Sequence, residues 1–545
     1  MSESGVLKNS GLMALGTIAS RITGILRDVV MVSALGFALL SDAFSLGNTL
    51  PNIIYLLLIG GALNAIFIPQ IVRHYENDAD KGKRFIDQLL SATITILFGI
   101  TLLAVLFAPF IIGIFAPDGM SETQFELAVA FARFCLPQVF FYGLFTMIQQ
   151  VLNARGRFTL SFFAPVLNNL VAIAVFVSFI LVANPLSISR LELPSQQVAL
   201  LGLGSTLGVA LQALILIPGL QKIGYRFNFN FSWKDSGLGK TLELAKWTIA
   251  LIAVNQIAYI VITRFVTSAN IEAVFSGGTA AGLTTYQKAN LIYILPHSVI
   301  TISLITALLP QLSARANQKD ERGFADLVSY SLRVVLVLLI PIALFLYFSA
   351  RELSVFLFGY GAAGIDSAAK VGDVTALFAL GLPAFSLIYV INRIWYSTEN
   401  TRTPFVFSII INALAVGLGI ALFSQVSVED KVGMFGLSYT IAYWIVLGLS
   451  FWWLTRTVQQ LEIASLGMLF VKVMFASFIA SGTMEWVMST WSEVFTGNSR
   501  NVFLALIVLW LLCICIYFAI ASLLRVKEIR DVSRIVRNRF TRSNS

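Results

Sequence analysis

The chain has 545 residues, of which 57% are hydrophobic and only 12% charged, and its mean hydropathy is +0.84. A soluble domain carries roughly twice that share of charge, so a water-soluble globular protein is excluded at the outset. Apolar runs long enough to cross about 30 Å of hydrocarbon recur throughout; backbone in lipid must bond to itself, which selects helices, and the roughly ten-residue alternation of a β-barrel is absent.

The first predicted span, 8–36, is apolar except for one polar arc: Ser20-Arg21-Ile22-Thr23-Gly24-Ile25-Leu26-Arg27-Asp28. At about 100° per residue, Arg21 and Asp28 share one face, Ser20 and Arg27 a second, and Gly24 lies between them, an arc about 120° wide. A charge at mid-membrane costs at least about 2.5–3.5 kcal/mol. Two readings fit: a buried Arg–Asp pair that ties helices together, or a cationic site for an anionic ligand. The planar guanidinium suits phosphate through paired charge-assisted bonds. Both arginines, and the absence of a small-residue cleavage site, argue against a cleaved signal peptide.

The second span, 43–69, follows Asp42, which is placed to balance an arginine. Asn48, Asn52 and Tyr55 form one polar stripe at i, i+4 and i+7, and Gly60-Gly61 and Asn64 continue a weakly packed segment. Later spans are expected at 86–116, 124–152, 158–183, 197–220, 241–267, 279–313, 328–349, 369–398, 404–424, 433–455, 467–488 and 501–524. Lys288, flanked by Gln287 and Asn290, gives the eighth span its own cationic patch, so both halves of the chain are expected to face one central cavity. Cys135, Cys513 and Cys515 lie in apolar spans without metal-ligand spacing. His74 and His297 do not form a metal site, and no cofactor or metal is expected. An enzyme would need a carboxylate pair, a metal or a nucleophile with its base, and none is evident.

One set of loops carries most of the loop lysines and arginines; the opposite set holds Arg190, Arg351, Lys370, Lys431 and Arg500. This bias places both termini in the cytoplasm. The basic tail from Arg525 to Arg542 reads as a stop signal, with anionic lipid as a second reading. Short blocks recur in order: Ile68-Pro69-Gln70 then Phe85-Ile86-Asp87, against Leu309-Pro310-Gln311 then Phe324-Ala325-Asp326; Leu136-Pro137 against Leu382-Pro383. They point to a duplicated six-helix unit with parallel topology. The expected fold is therefore all-α and polytopic, with fourteen transmembrane helices: an N-lobe over 1–225, a C-lobe over 226–460, two further helices over 461–524 and the tail 525–545.

Ser20-Arg21-x-x-Gly24-x-x-Arg27-Asp28, Asp42-Ala43-Phe44, Leu50-Pro51-Asn52, Gly61-Ala62 and Phe67-Ile68-Pro69 closely resemble the MurJ (MviN) lipid II flippases of the MOP exporter superfamily. Arg157-Phe158, Ala164-Pro165, Asn168, Leu308-Leu309-Pro310, Phe358-Gly359-Tyr360-Gly361, Tyr396-Ser397 and Thr403-Pro404 extend the resemblance over residues 8–524. The resemblance implies two six-helix lobes around a cavity, a C-terminal helix pair that forms a lipid-tail groove, and alternating access carrying undecaprenyl-diphosphate-linked peptidoglycan precursor outward. Arg21, Arg27 and Asp42 match functional positions of the family; Asn52, Tyr55 and Lys288 join them as expected substrate-binding residues, with Ser20, Gly24, Asp28 and Asn48 as structural or gating residues. Two family arginines fall at Tyr55, a form similar to actinobacterial members, and at Leu291, for which Lys288 is the expected substitute. Some relatives bind sodium through acidic groups in spans 7 and 11; only Glu243 is present there. Expected partners are lipid II, membrane lipids and cell-wall or division proteins, not nucleic acid. The alternative is another lipid-linked oligosaccharide or drug exporter of the same architecture.

Overall fold

A computed structural model describes residues 3–57, 80, 82–184, 191–231, 238–458, 460–496 and 500–529, with side chains from residue 13 onward except 14 and 238–245. The described elements are helices and turns. In chain order they are α1 (Glu3–Leu35), α2 (Leu39–Tyr55), α3 (Lys83–Leu106), α4 (Ala108–Phe115), α5 (Glu122–Cys135), α6 (Gln138–Ala154), α7 (Thr159–Val182), α8 (Ser195–Leu214), α9 (Ile217–Lys222), α10 (Leu238–Phe275), α11 (Leu283–Asn317), α12 (Glu321–Phe358), α13 (Ile365–Ala379), α14 (Leu382–Ser397), α15 (Arg402–Phe423), α16 (Lys431–Thr457), α17 (Ile463–Thr490) and α18 (Arg500–Leu523). Among the described residues, 11 helices are long and apolar enough to cross a membrane, and 12 if α13 and α14 form one span. The polar α1 and the short described part of α2 stand for the other two expected crossings. Gly60-Gly61, Asn64, the Ile68-Pro69-Gln70 block, His74 and the tail beyond residue 529 lie outside the described residues.

Several spans predicted as single helices are broken, and prolines mark the breaks. Span 4 divides into α5 and α6 at Leu136-Pro137. Span 10 divides into α13 and α14, bent by 52°, with Pro383 in the first turn of α14. Proline has no N–H to donate and its ring collides with the preceding turn, so it is tolerated where a new helix starts. The two breaks fall at the matched Leu-Pro dipeptides of the proposed duplication. Helix pairings recur in the same way: α3 packs against α6 as α12 packs against α14, α8 against α5 and α6 as α16 against α13 and α14, and α7 against α8 as α15 against α16.

By packing, the chain divides into two compact units: Met1–Ser276 with Gly282–Thr284 and Gly361–Ala363, and Gly277–Ala281 with Thr285–Tyr360 and Gly364–Ser545. In the first, Phe44 is fully buried and its ring meets Phe131 and Phe176 edge-on at 5.3 and 5.7 Å, locking α2 onto α5 and α7. A Cβ at Gly47 would stand 2.8 Å from the backbone of Ala132, so the absence of a side chain there permits this approach. The Asp87 carboxylate accepts from Lys83 at 3.1 Å, the Tyr225 hydroxyl at 2.5 Å and the Asn228 amide at 3.2 Å. This ties the segment after α9 to the start of α3 and gives the Phe85-Ile86-Asp87 block a structural use. In the second unit, the C-terminal pair packs on α12. Tyr517 of α18 donates to the Val337 carbonyl at 2.7 Å, and Trp510 donates to Ser349 at 3.0 Å. Arg333 of α12 donates to Glu528 at 2.8 Å and to Ser465 of α17.

Candidate functional site

In helices this apolar, a polar side chain at mid-span is informative because its cost must be offset by a partner or by water. Arg21 is exposed and Arg27 is intermediate in burial. One Arg27 terminal nitrogen donates to Asn169 Oδ1 and the other to Asp28 Oδ2, each at 3.2 Å. The Arg27 side chain keeps 36% exposure while that of Asp28 keeps 8%. The guanidinium is therefore held at both terminal nitrogens while the side chain as a whole stays partly exposed. Asn169, on α7, uses its amide nitrogen on the Ser20 carbonyl and the Thr23 hydroxyl, both at 3.0 Å. A single buried amide thus joins α7 to successive turns of α1 and to the arginine. Helical spacing puts Arg21 on the face of Asp28, and the structure pairs Asp28 with its neighbour Arg27. A Cβ at Gly24 would meet Asn169 Nδ2 at 3.6 Å, an ordinary contact, so no tight helix approach depends on that glycine.

The α2 stripe meets a second stripe on α6. Gln138 donates to Asn48 Oδ1 at 3.0 Å, and the Tyr142 hydroxyl donates to Gln138 Oε1 at 3.3 Å. Tyr55 and Thr146 share a hydroxyl hydrogen bond of 2.7 Å, and the Tyr55 and Tyr142 rings lie 5.7 Å apart. Gln138, Tyr142 and Thr146 recur every fourth residue, one face of α6. The Tyr142 hydroxyl is within electrostatic reach of the Arg27 guanidinium, and both residues belong to the first unit. Asn52, expected in the same stripe, is exposed.

Asp42 is fully buried, and it does not balance an arginine. Its Oδ2 accepts from the Leu283 amide at 3.0 Å and the Asn270 side chain at 2.7 Å, and its Oδ1 from the Thr284 amide at 2.9 Å. Leu283 and Thr284 open α11, whose first amides have no partner within the helix. A carboxylate there satisfies the donors and complements the positive end of the helix dipole. Ser45, one turn on, bonds Thr284 at 3.0 Å. Lys288 is buried in the second unit. The Glu243 side chain lies outside the described residues, and among the described residues no cluster of three metal-ligating side chains is present.

The spacing argument singled out Arg27, Asn48 and Tyr55 but not Asn169, Gln138, Tyr142 and Thr146, to which they are hydrogen-bonded directly or through one another. The α6 residues had a readable signal, polar groups at four-residue spacing in an apolar span. Asn169 had none, since a lone amide in α7 acquires its meaning only from α1.

The sequence profile described as "Lipid II flippase MurJ" matches residues 31–506. The chain is similar to the probable lipid II flippase MurJ of Rhizobium tropici, 26% identical over 95% of this chain and 94% of that protein, and to the lipid II flippase MurJ of Burkholderia cenocepacia, 26% identical over 86% of this chain and 88% of that one. Its fold is similar to a solved lipid II flippase MurJ in an inward closed conformation, at 20% identity and a TM-score of 0.71, covering 96% of this chain and 99% of that one. It is also similar to an inward-facing multidrug resistance MATE family transporter of the MOP superfamily, at 13% identity and a TM-score of 0.60, covering 81% and 94%. A profile match across most of the chain, including the polar faces of α2 and α6, places this protein in the MurJ lipid II flippase family.

Proposed function

We propose that this protein moves lipid II across the bacterial cytoplasmic membrane by alternating access and that Arg27, with Arg21, receives the diphosphate of the substrate. The observation that carries the reading is the state of Arg27: a side chain inside an apolar helix, fixed by Asn169 and Asp28 and still partly exposed. A pair that existed only to join helices would enclose its charge. An anion site needs one that is oriented and accessible. Lys288, buried in this state, is assigned to the same substrate in the state of the alternating-access cycle that exposes it, and Asn48, Asn52 and Tyr55 to the uncharged part of the substrate. Ser20 and Asp28 orient the α1 cluster.

We assign the lobes to 1–225 and 226–460, although packing groups α10 with the first unit, the helix pair to 461–524 and the basic tail to 525–545, with both termini cytoplasmic. The prenyl tail is assigned to an apolar cleft of about 330 Å³ lined by Leu336 of α12, Ile391 of α14, Phe451 of α16 and Phe470 of α17, among others. Membrane potential acts directly on cations held within the bilayer, about 2.3 kcal/mol per charge per 100 mV, which gives an energy source that needs no sodium site. Cell-wall and division proteins remain proposed partners.

The test is growth rescue in a bacterium depleted of its own lipid II flippase. The wild-type chain rescues; Arg27→Gln and Arg21→Gln, expressed to the same level in the membrane, do not. Rescue by both variants would remove the proposed anion site.

A further inference from the structure

Tyr55 and Tyr142 are more than packing. Both rings are intermediate in burial, 5.7 Å apart and tilted by 44°. Their hydroxyls are turned into the protein, Tyr55 to Thr146 at 2.7 Å and Tyr142 to Gln138 at 3.3 Å. The anchors are themselves buried, Gln138 1% and Thr146 7% exposed. With both hydroxyls engaged, what this pair offers outward is ring surface held at a fixed angle. Asn48 beside them accepts from Gln138 through its carbonyl oxygen at 3.0 Å, which directs its two N–H donors to other acceptors. The assembly is uncharged, and Tyr142 lies within electrostatic range of Arg27.

We propose that Tyr55 and Tyr142, framed by Asn48 and Gln138, form a recognition platform for the N-acetylated hexose that follows the diphosphate; this rests on the assignment of the diphosphate to Arg27. A pyranose has C–H faces that lie on aromatic rings and a rim of hydroxyl and acetamido groups that bond amides. A fixed, partly exposed tyrosine pair beside the Asn48 amide fits that chemistry, and the absence of charge separates it from the phosphate site. The platform makes the cargo selective: a prenyl diphosphate without sugar meets only the arginines. Tyr142 and Tyr55 touch the sugar, and Gln138 and Thr146 are positioning residues.

The experiment measures binding of lipid II and of undecaprenyl diphosphate to the full-length purified protein in lipid nanodiscs. Tyr142→Leu weakens lipid II binding about tenfold, the scale of one lost aromatic contact with its hydrogen bond, and leaves undecaprenyl diphosphate within about twofold. Tyr142→Phe, which keeps the ring, holds lipid II binding within about threefold by the loss of one neutral hydrogen bond. Arg27→Gln weakens both ligands. If Tyr142→Leu weakens both ligands equally, or neither, the platform is overturned while the diphosphate site stands. If Arg27→Gln changes neither ligand, the diphosphate site itself falls.

Discussion

At the scale of single residues, the polar side chains of this protein divide by partner. Arg27 is held but open, and Asp42 is enclosed. Three donors converge on the Asp42 carboxylate, two of them first-turn amides of α11. A buried donor left without a partner costs about 1–3 kcal/mol, so Asp42→Ala is expected to lower stability by several kcal/mol. Asp42→Asn, which keeps one acceptor oxygen, is expected to lie between it and wild type. Thermal unfolding of the purified variants in detergent checks this; equal stability of Asp42→Ala and wild type would contradict the capping role. The sequence shows Asp42 as a charge near a helix start, but its partners lie 228 to 242 residues away. An acid beside a cationic helix is therefore read naturally as a counter-ion until those distant amides are seen. Arg27 was legible for the opposite reason: its cost is local, set by the apolar residues around it.

At the scale of elements, the ends and breaks of helices carry the information that hydropathy misses. α1 stops because Gly36 adopts φ +70° and returns its amide to the Val32 carbonyl at 2.8 Å, a left-handed helix end that favours glycine. Gly361, in the Phe358-Gly359-Tyr360-Gly361 block, has φ +60°, and a Cβ there would collide with the Ser33 carbonyl oxygen. Gly361→Ala is expected to cost about 1–2 kcal/mol, from the left-handed backbone together with this contact, and to lower the melting temperature measurably. An unchanged melting temperature would show that the turn at 361–363 relaxes away from α1. The apolar run of residues 369–398 reads as one span because both halves are hydrophobic. The bend between α13 and α14 is a backbone event at Gly381 and Pro383, and hydropathy averaged over the run does not register it.

At the scale of the whole molecule, composition gives the membrane, and repeated short blocks give the duplication. The structure adds that Leu136-Pro137 and Leu382-Pro383 break matching helices and that matching helix pairs pack alike in both halves. The central claim is that an accessible, oriented Arg27 makes this fold a carrier of a lipid-linked diphosphate. The most direct measurement is lipid II translocation by the purified protein in proteoliposomes, followed by protection of the sugar headgroup from an external reagent. The wild-type chain is expected to translocate lipid II, and Arg27→Gln to lose at least about tenfold in rate, since a hydrogen bond to a charged group is worth about 1.5–3 kcal/mol. Wild-type rates from Arg27→Gln reconstituted at the same density would contradict the account.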